Sequence, residues 1–467
     1  MTLLAFAVGA VLSGCTGTVV DPAPSSKASV ATVEVSLASA SVTTGQATQA
    51  TAVVRDASRH VLSGHTIAWS TDNGGVATVT ATGAVLGAGA GTANIIATSD
   101  GKSGSAVVTV TRPSSPPSGR WVTGYYVGYQ RDLYPETTID FSSLTHITVG
   151  RIRPTLTGGL TTDFDIDPVT GPAMAKTIAT EAHQAGRKAL LMLGGAGEHD
   201  AFVGATSSAN RAAFEQKLLS TLTDLGYDGL DVDWEPVAPA DQAPLLALLT
   251  ELRAARPGII LTIPVAWVNM NFPTVDAWYA NVAKVVDQMN MMTYDMAGGW
   301  DGWQSWYSSA LDDAQPAHPS SIASSAAAYK ASGVPASKIG IGVPFYGACW
   351  RNVTAPRQTL VTGADVYASD NEMSYANIMG LYYVAAARSW DATAQVPYLS
   401  FATPKGPNAC TFISYDDAQS VAAKGTFVKS NGYGGAITWT LGEGHLINAP
   451  AGQQDPLLKA LYTAVAP

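Results

Sequence analysis

Residues 228–235 read Asp228-Gly229-Leu230-Asp231-Val232-Asp233-Trp234-Glu235. Side chains alternate along an extended strand, so Asp231, Asp233 and Glu235 share one face at intervals of about 6.5 Å, and Leu230, Val232 and Trp234 share the other. A solvated edge strand tolerates three acids, but the apolar opposite face argues for a central, buried strand. Three carboxyls stacked there are costly to bury. Like charges this close cannot all ionise, so at least one pKa must rise. A carboxyl that keeps its proton near neutral pH is the group that protonates a leaving oxygen in glycoside hydrolysis. A divalent-metal site is the other chemistry open to such a face. It would bring further His or carboxylate ligands, and none cluster nearby in the sequence.

Seven more apolar β-type runs flank this one: 122–127 (VTGYYV), 145–150 (THITVG), 188–193 (KALLML), 259–265 (IILTIPV), 288–294 (QMNMMTY), 338–344 (KIGIGVP) and 434–440 (GGAITWT). Helical patterns lie between them. Phe214, Leu218, Leu222 and Leu225 recur at helical spacing and are closed by Gly226, and Met174, Ile178 and Ala182 share a face closed by Gly186. Eight strands alternating with helices over 120–467 predict a (β/α)₈ TIM barrel, with catalytic groups at the C-terminal strand ends. The stretch 348–410 breaks the rhythm and reads as a small inserted subdomain.

Upstream the character differs. Residues 29–111 are rich in Val, Thr, Ala, Ser and Gly, with short alternating runs such as Val33-Glu34-Val35-Ser36-Leu37 and Val107-Val108-Thr109-Val110. Turn signals separate these runs, which predicts an all-β sandwich. GAGAG at 87–91 precedes a strand rather than a helix, so it is a turn and not a nucleotide loop. A Pro/Ser linker at 112–119 joins the two regions. The chain starts MTLLAFAVGAVLSGC, an apolar run too short to span a bilayer, which takes about 20 residues. It reads as a signal peptide over 1–15, followed by a polar tether at 16–28. Leu12-Ser13-Gly14-Cys15 resembles a lipobox, which makes Cys15 a lipidation candidate and predicts a secreted lipoprotein anchored at the cell envelope. Cys349 and Cys410 then remain as a disulfide candidate, with two buried free thiols as the other reading.

Hydrophobic residues make up 46% of the 467 and charged residues 13%, enough apolar content for a sizeable core. The net charge is −10 and no run of Lys or Arg occurs, which removes the basic footprint a nucleic-acid binder needs. An uncharged polymer or small molecule is the easier partner.

The barrel region resembles family-18 chitinases. DGLDVDWE matches their DxxDxDxE motif, and further family motifs follow in order: GYY at 124–126, Gly194-Gly195, Met292-Thr293-Tyr294-Asp295 with Trp300 after it, GVPFYG at 342–347, SYDD at 414–417 and Trp439. Residues 29–111 resemble the bacterial Ig-like domain of group 2. The first resemblance implies Glu235 as proton donor, Asp233 as the group steering the substrate's N-acetyl, Asp231 sharing its proton, and Tyr294 bonding the acetamide. It implies Trp439 as the floor under the sugar, substrate contacts from Asp295, Met292 and Trp300, and Tyr125 supporting the inner Asp. Asp228, Gly194 and Gly195 are then structural. No metal or cofactor is implied; chitin or chito-oligosaccharides are the expected partner, and the expected state is a monomer. The nucleophile is the sugar's own acetamido oxygen, a substrate-assisted variant of retaining hydrolysis.

The sequence departs from the family in three places. Met192 stands where a Ser commonly braces the inner Asp, Ala196 where a Trp often follows the glycine pair, and Ala348 where an Arg often follows GVPFYG. Trp267, Trp303, Trp306 and Trp350 read as subsite aromatics or as packing. His199, within Glu198-His199-Asp200, reads as an exposed loop residue. Two other functions use the same barrel: an endo-β-N-acetylglucosaminidase acting on N-glycans, and a catalytically silent chitin-binding lectin. The lectin typically lacks the terminal Glu, which is present here as Glu235.

Overall fold

Eight runs rich in β-branched and aliphatic residues form parallel strands, which we label β1 (Trp121–Val127), β2 (His146–Pro154), β3 (Lys188–Gly194), β4 (Gly229–Asp233), β5 (Ile260–Ala266), β6 (Gln288–Met292), β7 (Ile339–Pro344) and β8 (Gly435–Trp439). They come from a computed structural model that describes residues 28–43, 46–88, 91–111 and 119–466. The signal and lipobox at 1–15, nearly all of the tether and most of the Pro/Ser linker lie outside the described residues. The described chain forms two units.

In the C-terminal unit each strand pairs in parallel with the next, and β8 pairs with β1, so the sheet closes into an eight-stranded barrel. Strand β2 runs beyond the expected 150 because Arg153 and Pro154 pair with a short antiparallel strand, Leu160–Thr161. Strand β6 stops before the expected 294 because the chain turns there, and Asp295 takes a left-handed φ of 51°.

Alternation sets which side chains point outward. Val149, Leu191, Leu193, Leu230, Val232, Leu261 and Ile263 pack against the helix layer. Helix Thr170–Gln184 buries Met174, Ile178 and Ala182, and helix Arg211–Leu225 buries Phe214, Leu218 and Leu222, the faces their spacing predicts. Each fully buried Leu contributes roughly 2 kcal/mol of apolar burial. Gly226 ends the second helix at φ 79°, a conformation that favours a residue without Cβ.

Between β7 and β8 the chain leaves the barrel to build a five-stranded antiparallel sheet, in the order Val366–Ala368, Ala348–Trp350, Cys410–Ser414, Val396–Lys405, Arg388–Asp391. The expected 348–410 ends at the first residue of that sheet's central strand. The sheet continues past that residue, with Phe412 opposite Trp350 and Ile413 opposite Cys349. The departure and return strands lie side by side, with Ala348 opposite Ser414. Trp306, Trp350 and Phe412 are fully buried beneath this sheet, so the first two serve packing. Cys349 and Cys410 are joined by a disulfide, S–S 2.05 Å.

Behind the end of β6 sits a fully buried ion pair. Lys424, on helix Ala418–Ser430, donates to Asp416 at 2.6 and 2.7 Å and to Ser309 Oγ at 2.8 Å. Ser309 in turn donates to the Thr293 carbonyl at 2.8 Å. Removing one partner of such a pair strands the other charge and costs about 3–5 kcal/mol.

The N-terminal unit is a sandwich of two four-stranded sheets, ordered Thr32–Leu37, Ala47–Arg55, Ala84–Gly87, Ala77–Val79 and Ser41–Thr43, Lys102–Thr111, Gly91–Ser99, Ala68–Thr71. Val33 and Val54 of one sheet pack against Ala97 and Trp69 of the other.

The disulfide spans 61 residues of sequence. A cross-link of that length restricts the unfolded chain by about 4 kcal/mol in the loop-entropy model. Cys349→Ser with Cys410→Ser is expected to lower the unfolding midpoint of the C-terminal unit by several degrees, measured by scanning calorimetry against the oxidised protein. An unchanged midpoint would show that the bridge adds no stability.

Candidate active site

The acidic face of β4 points into the barrel. Asp231 is fully buried and Asp233 nearly so, while Leu230, Val232 and Trp234 join the outer core. Trp234 stacks on Phe202 with ring centres 4.8 Å apart, which fixes the outward side of the strand end and so the direction in which Glu235 leaves it.

Asp231 is braced from two strands. Tyr125 Oη on β1 donates to its Oδ2 at 2.7 Å, and Thr262 Oγ1 on β5 donates to its Oδ1. The register explains the second bond: Asp231 lies opposite Thr262 on one side and Met192 on the other. The bracing hydroxyl that Met192 cannot supply on β3 is supplied from β5. Burial raises the Asp231 pKa to about 6, the two donors hold it down, and the nearby Glu235 adds to the rise.

Asp233 is pushed well above the usual carboxylate range, first by burial and then by the charges of Glu235 and Asp231. Its Oδ1 is buried without a hydrogen-bond partner. An unpartnered buried carboxyl oxygen is costly unless it holds a proton or meets a ligand. Gly194 and Gly195, at φ 96° and 106°, let the end of β3 turn against this strand end. Gly195 N–H donates to the Asp233 carbonyl at 2.7 Å, and a Cβ on Gly194 would stand 2.3 Å from the Phe202 ring.

Asp233 and Glu235 open into a cavity of about 420 Å³, a volume typical of ligand sites. Tyr125, Met292, Tyr294, Asp295 and Trp439 line the same cavity, as sequence reasoning expected. Trp439 leans on Tyr125 with ring centres 5.5 Å apart. Burial and the Asp233 and Glu235 charges push the Tyr294 phenol well up, so it stays a hydroxyl donor. Asp295 accepts from Tyr346 Oη at 2.7 Å, and its own N–H donates to Ser308 Oγ at 3.0 Å.

Other expected residues fall elsewhere. Asp228 sits at the opposite, N-terminal end of β4, accepting from Ala189 N–H at 2.9 Å and Lys188 Nζ at 3.0 Å and paired with His183 at 2.8 Å. Trp300 does not line the central cavity with the others. It is 46% exposed and packs edge-on against Trp303 at 4.6 Å, with Trp267 at 6.3 Å, beside a separate groove bounded by 299–304 and 359–365. The loop after β6 carries it away from the strand end. His199 is no loop residue: it opens helix His199–Ala205 and contacts Asp200 and Asp241 at 2.9 and 3.0 Å.

Sequence reasoning missed Thr262, Arg151, Asp165, Tyr129 and Asp370. Strand parity could have found Thr262, since it shares the inward face of β5 with Pro264. Arg151 and Arg153 carried the signal of two cations close together in a β-type run.

Comparison with known proteins gives two family matches. The model for glycosyl hydrolases family 18 matches residues 122–444, and that for the bacterial Ig-like domain (group 2) matches 29–110. The chain is 32% identical over 272 residues to Chitinase A1 of Niallia circulans, covering 51% of this chain and 38% of that protein. It is 33% identical over 259 residues to a probable endochitinase of Caenorhabditis elegans, covering 51% and 40%. The chain thus spans about two-fifths of the length of these relatives. The structure of a group IV chitinase from Ostrinia furnacalis, in complex with allosamidin, superposes with a TM-score of 0.61 at 24% identity, covering 74% of this chain and 98% of that one, a likeness of fold.

In an unfolded chain Asp231 titrates near the ordinary aspartate value of 3.8, against about 6 in the fold. The folded state therefore binds more protons in that window, and stability falls as pH rises through it, by about 3 kcal/mol in all. Asp231→Asn removes this slope. Its stability relative to the unsubstituted protein is expected to rise between pH 4 and 6 and to change little above, measured by urea unfolding across pH. A flat difference would mean that Asp231 titrates normally.

Proposed function

Because the chain belongs to the glycosyl hydrolases family 18, we propose that it is a chitinase, cleaving β-1,4-linked N-acetylglucosamine polymers with retention and with the substrate's acetamide as nucleophile. The observation that carries this reading is the acidic face of β4, whose Asp233 and Glu235 enter one cavity with Tyr294 and Trp439. The chitinases it resembles support the substrate class.

The chemistry follows from the roles those positions allow. Glu235 gives its proton to the glycosidic oxygen as the bond to the anomeric carbon breaks. The acetamido oxygen of the same sugar attacks that carbon, and the positive charge passes to a cyclic oxazolinium. Asp233 takes the acetamide N–H, and Tyr294 Oη donates to the acetamide oxygen and aims it. Trp439 supports the distorted ring from beneath, its flat apolar face suiting the C–H face of a sugar. Glu235, now a carboxylate, takes a proton from water, whose oxygen attacks the anomeric carbon and reopens the ring. Two inversions return the β configuration. Intramolecular attack of this kind removes roughly 7–11 kcal/mol of barrier when well oriented. The apolar start ending in Leu12-Ser13-Gly14-Cys15 supports export and a lipid anchor at Cys15, with the enzyme acting as a monomer at the cell envelope.

Glu235→Gln is expected to fold normally and lose at least about 10²-fold in turnover, the low end for a general acid. Proton NMR in the first minutes of a chitin-hexamer digest is expected to reveal the β-anomer. A fully de-acetylated oligomer is expected to bind without being cleaved. Early α-anomer, or efficient cleavage of the de-acetylated chain, would overturn the mechanism. Release of glycans from high-mannose glycopeptides with no action on chitin oligomers would reassign the substrate to N-glycans.

A further inference from the structure

The cavity holds one cation that the mechanism leaves unused. Among the described residues lining it, Arg151 is the single Lys, Arg or His. It lies on β2, and its guanidinium is held on three sides. Nε donates to Asp165 at 3.0 Å, Nη1 donates to the Gly194 carbonyl at 3.3 Å, and Nη1 lies 3.7 Å from Glu198. Asp165 is itself shared with Arg153 at 3.8 Å. A side chain pinned this way carries a fixed charge rather than a roaming one.

That charge faces the acidic strand. A Cβ built on Gly195 would stand 3.3 Å from Arg151 Nη1 and 3.8 Å from Asp233 Oδ2, so both atoms lie close to one point, which the apolar Met192 Cε also approaches at 3.1 Å. The other groups facing Asp233 oppose ionisation or are neutral. Asp231 and Glu235 share its strand, Asp295 ends β6, and Asp165 and Asp370 line the cavity from loops. Tyr125, Tyr294 and Tyr346 remain hydroxyls, and β3 and β5 contribute Met192, Thr262 and Pro264. Neighbouring carboxyls in a poorly solvated site favour taking up additional protons. With a proton of its own, Asp233 has no negative charge with which to steer an acetamide.

We infer that Arg151 is a positioning residue for the hydrolysis: its pinned charge, set beside Asp233, keeps that carboxyl able to meet the substrate's acetamide as an anion, and the Asp165 anchor sets how strongly. This rests on the hydrolase reading above. The Arg151 charge acts against the burial that raises Asp233.

The test uses the full chain and three variants. In Arg151→Met the acidic limb of kcat/KM against pH for chitin hexamer is expected to move up by roughly half to two pH units, the span for one charge at this range between solvent-like and protein-like screening. Arg151→Lys is expected to return it most of the way. Asp165→Asn, which removes a neutralising anion, is expected to move the limb the opposite way. A purely structural loss would lower the profile without shifting it in opposite directions. Carbon-13 carboxyl titration of aspartate-labelled protein reads the same shifts without turnover, using the resonance that Asp233→Asn removes. Unmoved limbs, or an unmoved Asp233 resonance in Arg151→Met, would overturn the inference. If the unsubstituted protein cleaves no chitin oligomer, the hydrolase reading fails by itself, and the carboxyl titration still decides the role of Arg151.

Discussion

Everything in the C-terminal unit accommodates one costly act, the burial of a row of carboxyls inside a closed barrel. No edge exists through which β4 could turn its acids to solvent, since β8 and β1 seal the sheet. The fold answers with donors and space. Tyr125 and Thr262 satisfy both oxygens of Asp231 from strands on different sides. The two glycines at the end of β3 keep backbone, rather than side chains, against Asp233. Within the row, Asp233 Oδ1 is left without a partner, and an unmet acceptor at the centre of a site is prepared for a donor arriving from outside.

The acidic row was legible because a strand's two-residue period is read directly from neighbouring positions. All eight strands were found for the same reason, and the helix faces by their longer period. Contacts across the barrel were harder. Thr262 lies 31 residues from Asp231 and Tyr125 lies 106, and no local pattern links them. Tyr125 came only with the family motif, and Thr262 not at all, since here β5 supplies what a β3 residue commonly does in relatives. Trp300 is a different case. Its motif position was clear, but the loop after β6 sets its direction, and loops have no period from which direction follows.

The motif SYDD shows how a recognisable pattern can conceal its physical purpose. Asp416 does not enter the cavity; it is locked to Lys424 with both side chains out of water. Through Ser309 this pair grips the carbonyl of Thr293, the residue just before Tyr294. Ser308, one position away, holds the N–H of Asp295. The turn carrying two cavity residues is thereby tied from behind on either side of Tyr294, in a region where water cannot compete for the bonds. Rigidity at a loop-borne site is obtained from polar groups buried beneath it.

The five-stranded sheet between β7 and β8 has a further consequence. Its first strand and its last in sequence are hydrogen-bonded neighbours, Ala348 against Ser414, while β7 and β8 still pair directly. From the barrel's side, more than sixty residues therefore enter and leave like a short hairpin, and the entropy of closing such an excursion grows only with the logarithm of its length. The excursion behaves as a cassette: its length and sequence can drift, or be exchanged for another with the same paired stems, without disturbing the register of the strands that hold the carboxyls. Asp370, which it places on the cavity wall, belongs to this exchangeable part, whereas Asp233 and Glu235 belong to the frame. Part of the cavity wall and the acidic frame are in this way carried on separate pieces of one chain.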